Sequence, residues 1–330
     1  MSRRGARLYR GTPRNLASLA RLLRAGEAVG VPTETVYGLA ADALSARACR
    51  RIFRAKGRPL SDPLIVHLAS ARDLESVAEP NDAARRLAAA FWPGPLTLVL
   101  PKKASIPPEV TAGLPSVAVR VPAHPLFRRL IRLSGRPLAA PSANPFGYVS
   151  PTTAEHVREG LGGRIGHILD GGPCRVGVES SIVDLRDPRR PRLLRPGGVP
   201  RPELEKALGR KLAAPARRAP ARSAHLAPGQ LARHYSPRTP TVVRARLSAA
   251  AARSSPRDAW LFVRRPARLR GRHVFWLDAA GDLRAGARRL FAVLRRIDAG
   301  GFRRIHAELA PGGGWAEAIN DRLRRAASAL

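Results

Sequence analysis

Short apolar segments of strand length alternate with helical patterns over the first 209 residues, and this alternation constrains the fold most. Residues 64–68 are typical of a compact strand, whereas Thr12 as N-cap, Pro13 and the leucine spacing after them predict an amphipathic helix that ends at Gly26. Ser45 is predicted to cap a second helix that runs to about Lys56. Such alternation is typical of an α/β domain. Because the strands mix apolar and polar residues, we predict a twisted, mixed sheet with helices packed on it.

A change of composition then divides the chain of 330 residues, which is longer than one average domain. Residues 210–239 are rich in proline, alanine and arginine with little periodicity, which is typical of an extended linker. Beyond them, strand patterns at 259–263 and 274–277 accompany amphipathic helix patterns at 282–297 and 316–327. We therefore predict a first domain at 1–209, a linker at 210–239 and a small α/β (Rossmann-like) domain at 240–330.

The net charge of +35 comes mostly from arginines that are spread along the chain and not interleaved with aromatic residues. It permits a polyphosphate or tRNA partner but selects neither. The sequence contains no Walker A, G-x-S-x-G, H-E-x-x-H or C-x-x-C pattern, which argues against P-loop kinases, serine hydrolases and zinc enzymes. With no signal peptide and no apolar run long enough for a membrane span, we expect a cytoplasmic protein.

Two polar segments follow predicted elements in positions that suit a phosphate ligand. Lys56 and Arg58 flank a glycine at a helix end, where they could clamp a polyphosphate or simply complement the helix dipole. Residues 140–144 follow a strand directly, as ligand-binding segments do in open α/β sheets, although a plain polar turn has the same composition. Ser150 precedes the helix for which Thr152 and Glu155 predict a capping box.

Two ionisable residues lie within apolar strand patterns. His67 is either a satisfied core histidine or a ligand contact. Arg120 requires an acidic partner if it is buried, either a substrate carboxylate or an internal Asp or Glu.

The order and spacing of these segments resemble a known family. The pieces that carry the resemblance to the YrdC-type domain are Pro32–Gly38, Lys56–Arg58, Pro63–His67, Trp92–Thr97, Arg120–Pro122, Ala140–Asn144 and Glu179–Val183. Pro228-Gly229 and His234–Pro237 resemble the linker of the longer, two-domain threonylcarbamoyl-AMP synthases, and residues 287–298 and 318–323 resemble their C-terminal domain. The resemblance covers nearly the whole chain.

The resemblance implies a YrdC-like fold whose basic cavity binds ATP and L-threonine. It implies a threonine site formed by Thr35, His67, Arg120 and Ser180. It implies an ATP site formed by Lys56, Arg58, Asp62, Ser116, Ala140, Ser142, Asn144, Ser150, Arg195 and Tyr235, the last of which closes over the nucleotide. Lys56 and Arg58 are expected to stabilise phosphate charge, with no protein nucleophile. Asp62 stands where many relatives have Asn, and its carboxylate would repel triphosphate unless it met a metal, a ribose hydroxyl or the adenine amino group.

The implied reaction is a nucleotidyl transfer from ATP to carbamoylated threonine, made from bicarbonate, with Mg²⁺ held by ATP and water. A separate transferase would then deliver the threonylcarbamoyl group to tRNA. Two alternatives stand beside it. Hydrogenase maturation proteins also contain a YrdC-like domain, but their zinc-finger cysteines are missing here. A non-enzymatic RNA-binding or regulatory YrdC-type module would instead bind RNA independently of ATP.

Overall fold

The protein is represented by a computed structural model that describes residues 5–213, 226 and 235–327. Within these, ten strands form one mixed sheet in the order β1-β8-β2-β3-β7-β4-β6-β5-β9-β10. The strands are β1 (Arg7–Arg10), β2 (Val29–Val31), β3 (Gly38–Asp42), β4 (Ile65–His67), β5 (Leu96–Pro101), β6 (Ser116–Arg120), β7 (Leu138–Ala139), β8 (His167–Asp170), β9 (Ser181–Asp184) and β10 (Arg192–Arg195). The predicted mixed sheet is confirmed.

Helices pack against this sheet, as the alternating pattern predicts. They are α1 (Pro13–Arg24), α2 (Ala46–Lys56), α3 (Asp82–Phe91), α4 (Pro108–Thr111), α5 (Pro125–Ser134), α6 (Ala154–Leu161) and α7 (Arg201–Leu208). Thr12 and Ser45 accept hydrogen bonds from the backbone N–H groups of Asn15 and Ala48, so the predicted N-caps of α1 and α2 are confirmed.

The capping box predicted at Thr152 is wrong by one residue. Thr153 is the N-cap of α6, because its hydroxyl accepts the backbone N–H of His156 at 3.2 Å. The two neighbouring threonines offer the same hydroxyl, and only the backbone path decides which one meets that N–H. The amphipathic helix α5 and the strands β1 and β3 escaped prediction.

The second domain has a four-stranded parallel sheet in the order β11-β14-β12-β13. Its elements are β11 (Thr241–Arg244), α8 (Ala249–Ser254), β12 (Ala259–Arg264), β13 (Val274–Asp278), α9 (Leu283–Asp298), β14 (Ile305–Glu308) and α10 (Trp315–Ala326). The strands and helices predicted here are confirmed, whereas the short β11 and β14 were not predicted. Most of the predicted linker lies outside the described residues, so its bounds stay a prediction.

Within the described ranges, no helix combines the length and the apolar character that crossing a bilayer requires.

Candidate active site

Two neighbouring parallel strands end side by side and bring His67 and Arg120 together. The register of β4 and β6 pairs these two residues directly. Both are buried, with exposures of 3% and 4%. Side chains alternate along a strand, so Ile65 shares a face with His67, and Ser116 and Ala118 share a face with Arg120. This face at the carboxyl ends of parallel strands is where open α/β sheets bind ligands.

A self-closed turn between β2 and β3 presents Thr35 to Arg120. The hydroxyl of Thr33 accepts the backbone N–H groups of Thr35 and Val36 at 3.1 and 3.2 Å and donates to the carbonyl of Val36 at 2.6 Å. Such hydroxyl-to-backbone bonds fix a tight turn. The hydroxyl of Thr35 then accepts a hydrogen bond of 2.9 Å from Arg120 Nη1.

Arg120 has an acidic partner inside the protein. Its Nη2 lies 2.7 Å from Oε1 of Glu34, which is also buried, and its Nε donates to the carbonyl of Gly94 at 3.1 Å. Of the two partners that the sequence left open, the internal acid is therefore present. The guanidinium is held on three sides with its fork fixed beside His67.

Ser180 and Arg195 meet where β9 begins and β10 ends. Arg195 donates to the carbonyl and the hydroxyl of Ser180 at 3.1 and 3.2 Å, and that hydroxyl lies 2.7 Å from the hydroxyl of Thr97. The backbone comes close here, because a Cβ on Gly197 would lie 2.4 Å from the carbonyl oxygen of Glu179. Only glycine fits at this crossing.

The helix α2 delivers Lys56 and Arg58 to the same region. Gly57 ends the helix with a left-handed backbone (φ 65°), which turns the chain sharply between the two cations. Lys56 Nζ donates to the carbonyls of Ser142 and Asn144, each at 2.6 Å. Arg58 donates to the carbonyls of Asp62 and Pro63 at 3.0 and 2.7 Å.

Asp62 forms an ion pair with Arg58, with 2.9 Å between Oδ2 and Nη2 and both side chains buried. The partners expected from the sequence were a metal, a ribose hydroxyl or the adenine amino group. An internal guanidinium was overlooked, although an acid four residues after an arginine is close enough to meet it. The pairing offsets the charge that would repel a triphosphate.

Burial shifts the pKa values of two key groups. It lowers the pKa of Lys56 well below its usual value, and the adjacent Arg58 lowers it further. Burial, reinforced by the positive charge of Arg120, lowers the pKa of His67 to about 3. His67 is therefore neutral at physiological pH, and one ring nitrogen can accept a hydrogen bond.

Most predicted site residues surround one small pocket, in which the centre of a water molecule can occupy a volume of about 40 Å³. Nine of the predicted residues line it: Thr35, Arg58, His67, Arg120, Ala140, Ser142, Ser180, Arg195 and Tyr235. Every residue of the predicted threonine set is among them.

The other five predicted residues lie outside the lining, in different relations to it. Lys56 and Asn144 meet through the lysine's bond to the asparagine carbonyl, and Asp62 holds Arg58. The hydroxyl of Ser150 donates to Oε1 of the lining residue Glu179 at 2.6 Å. Ser116 is buried at the start of β6, and its hydroxyl has no hydrogen-bond partner among the described residues.

An apolar floor adjoins the pocket on the ligand face of the sheet. It consists of Ile65, Val99, Ala118, Ile182 and Leu194. Leu226, which belongs to the predicted linker, packs against this floor. Pro228-Gly229 and His234 of the predicted linker motif lie outside the described residues, whereas Tyr235 is 1% exposed and lines the pocket.

The formal charges around the pocket favour an anion. Cations outnumber carboxylates by two among the residues that line it, which include Arg58, Arg120 and Arg195 on one side and Glu179 on the other. Sequence reasoning missed Glu34, Glu179 and Arg322 as functional candidates. Arg322 was detectable, since it stands on the apolar stripe of α10 with Ile319 and Leu323.

Comparisons with known proteins match nearly the whole chain to one family. A family model described as "Telomere recombination" matches residues 21–197, and one described as "Threonylcarbamoyl-AMP synthase, C-terminal domain" matches residues 199–328. The chain is 44% identical over 317 residues to the threonylcarbamoyl-AMP synthase of Pyrococcus abyssi, covering 93% of this chain and 92% of the relative. The Bacillus subtilis enzyme of the same name is 46% identical over 230 residues, covering 69% of this chain and 66% of the relative.

Solved structures give the same result. The crystal structure of P. abyssi Sua5 complexed with L-threonine superposes with a TM-score of 0.88 at 41% identity, covering 97% of this chain and 96% of that one. Escherichia coli YciO, with a TM-score of 0.53 and 20% identity, covers 58% of this chain and 96% of its own, and shares the fold of the first domain.

Proposed function

The chain belongs to the threonylcarbamoyl-AMP synthase family, enzymes of the nucleotidyltransferase type, and from this premise we propose that it makes L-threonylcarbamoyl-adenylate from L-threonine, bicarbonate and ATP. The observation that carries the proposal is one pocket in which Arg58, Arg195, His67 and Arg120 all face the same space. Cations for a polyphosphate and a fixed guanidinium for a carboxylate are what the two substrates require.

We place threonine at the strand ends. Its carboxylate would share the guanidinium of Arg120 with Glu34, and Thr35 and Ser180 would offer hydroxyls to its polar groups. The structure of the P. abyssi relative was solved with L-threonine, which supports threonine as a substrate of this chain. Because His67 is neutral, it would accept a hydrogen bond from the substrate ammonium.

We place ATP over the apolar floor, with adenine against Ile65 and Ala118 and the phosphates toward Arg58 and Arg195. Ser116, at the far end of the same face, would offer its hydroxyl to the base or sugar. A bound triphosphate would offset the burial that lowers the pKa of Lys56. Tyr235 and Leu226 would close over the bound nucleotide.

The reaction would proceed in two steps. The threonine amine attacks bicarbonate or carbon dioxide to form the N-carboxylate, releasing water when bicarbonate is used. One carbamate oxygen then forms a bond to the α-phosphorus of ATP, and the bond to pyrophosphate breaks. Such a transfer needs in-line positioning and charge stabilisation more than a protein nucleophile. The arginines and hydroxyls of the pocket supply both.

Magnesium would enter with ATP. The described residues contain no cluster of three or more His, Cys, Asp or Glu that could hold a metal ion, and Asp62 is paired with Arg58. Mg²⁺ is commonly held by substrate phosphates and water, where it neutralises developing phosphate charge.

We further propose that the protein is cytoplasmic and passes its product to a separate tRNA threonylcarbamoyl transferase. The modified tRNA would be the one that reads codons starting with A. The labile acyl-adenylate would benefit from the closed pocket before this transfer.

The test is pyrophosphate release by the full chain with Mg²⁺ and ATP, with mass spectrometry of the adenylate. We expect release to require both threonine and bicarbonate and to be lost in Arg120→Ala. Release that ignores threonine would refute the proposal. RNA binding that is independent of ATP and unchanged in Arg120→Ala, without adenylate formation, would favour the RNA-binding alternative.

A further inference from the structure

An arginine of the second domain contacts the segments that line the pocket of the first domain. Arg322 of α10 has an exposure of 0%. Its Nε donates to Oε2 of Glu179 at 2.9 Å, and its Nη1 donates to the carbonyl of Pro196 at 2.5 Å. Both partners belong to segments that line the pocket, because Glu179 precedes Ser180 and Pro196 follows Arg195.

Glu179 links Arg322 to Ser150. Its second carboxylate oxygen, Oε1, accepts the hydroxyl hydrogen bond of Ser150 at 2.6 Å. The carboxylate therefore joins Arg322 on one side to a predicted ATP residue on the other. Its backbone carbonyl also accepts the N–H of Gly198 at 3.0 Å, which ties the two lining segments together.

Arg322 also contacts the residue that we place in the lid. Its guanidinium carbon lies 5.3 Å from the ring centroid of Tyr235, within the range of a cation–π contact. The same ring packs against Phe291 of α9 at 5.5 Å. One side chain thus touches the lid residue and both lining segments.

A buried carboxylate without a counter-charge is strongly unfavourable, so the position of Glu179 depends on Arg322. A second arginine of the same domain also contacts the first domain. Arg295 of α9 donates to the carbonyls of Val149 and Ser150 at 2.6 and 3.3 Å. The second domain therefore holds Ser150 through its backbone and, by way of Glu179, through its hydroxyl.

We propose that Arg322 is a positioning residue of the active site, an inference that rests on the proposed function. Through Glu179 it fixes Ser150 and Ser180, and through Pro196 it fixes Arg195. The second domain thereby completes a pocket whose substrate-contacting residues all lie in the first domain and the linker.

The experiment measures kcat and the KM values for ATP and threonine in Arg322→Met, Arg322→Lys and the double variant Arg322→Met/Glu179→Gln. The double variant removes both buried charges, so it keeps the test valid if Arg322→Met does not fold. Arg324→Met, an exposed residue two positions further along α10, is the matched control.

We expect Arg322→Met and the double variant to raise the KM for ATP by about 10- to 100-fold, the effect of losing one charged hydrogen bond. Compared with Arg322→Met, the double variant should be more stable but should bind ATP no more tightly. Arg322→Lys should recover part of the affinity for ATP. Arg324→Met should behave as the parent.

A purely structural salt bridge would give a different result. It would lower the free energy of unfolding in Arg322→Met but leave both KM values of the folded double variant at the wild-type level. That result would overturn the inference about Arg322 and leave the proposed function standing. If the parent itself releases no pyrophosphate with threonine and bicarbonate, the proposed function fails and the inference fails with it.

Discussion

Asp62 and Arg58 form an ion pair of 2.9 Å in which the side chains are 0% and 2% exposed. Breaking such a pair leaves a buried charge without its partner, whereas the exposed pair of Glu75 and Arg85 is surrounded by water. The same carboxylate lowers the positive charge beside the pocket. Asp62 should therefore increase the free energy of unfolding but weaken the binding of ATP.

Replacing Asp62 with Asn tests both effects. We expect the free energy of unfolding to fall by about 3 kcal/mol, and the KM for ATP to decrease because the pocket becomes more positive. Urea denaturation and pyrophosphate kinetics measure the two effects. Glu75→Gln is the control and should cost less than about 1 kcal/mol. Equal losses in the two variants would contradict the buried-pair interpretation.

Arg120 should contribute to threonine binding through the shape of its fork as well as its charge. Arg120→Lys retains the charge but loses the planar geometry that also holds Thr35 and Glu34. We expect the KM for threonine to rise about 10- to 100-fold, with little change in the KM for ATP. Arg136→Lys, at a half-exposed position near Asp42, should change neither value. A parallel rise in both KM values would argue against the assignment.

Stability should depend on pH through His67. Its pKa is about 3 in the folded protein and about 6.5 in the unfolded chain, so the unfolded chain binds more protons between these values. The contribution of His67 to stability is therefore fully present above pH 6.5 and decreases as the pH falls toward 3. Between pH 8 and pH 5 this group should remove about 2 kcal/mol.

Denaturation of the parent and of His67→Gln at both pH values isolates this contribution. His156, whose pKa is lowered to about 4 chiefly by burial, titrates in both proteins and cancels in the difference. The variant should lose less stability on acidification than the parent. Identical losses would show that His67 is not the group responsible.

Tyr235 should protect the acyl-adenylate from water. Its ring is 1% exposed and lies between Arg322 and Phe291. Tyr235→Ala should raise pyrophosphate release without proportionate accumulation of product, because an open pocket admits water. Tyr235→Phe keeps the ring and should keep the parental ratio of product to pyrophosphate. An unchanged ratio in Tyr235→Ala would reject the lid.

The sequence by itself determined the α/β class, the caps of α1 and α2 and the two-domain order. These features depend on local rules, since a hydroxyl caps the helix it precedes and residue spacing distinguishes strands from helices. The ordered motifs indicated the family, and the resemblance to that family supplied most of the pocket residues.

Only the tertiary structure decided the partners of the buried charges. Glu34 holds Arg120, and Arg322 reaches Glu179 from 143 residues away. No local pattern specifies such pairs, because the cost of burying a charge requires a partner but does not determine its position in the chain. The partner is determined only when folding packs two distant segments into the same water-excluded interior.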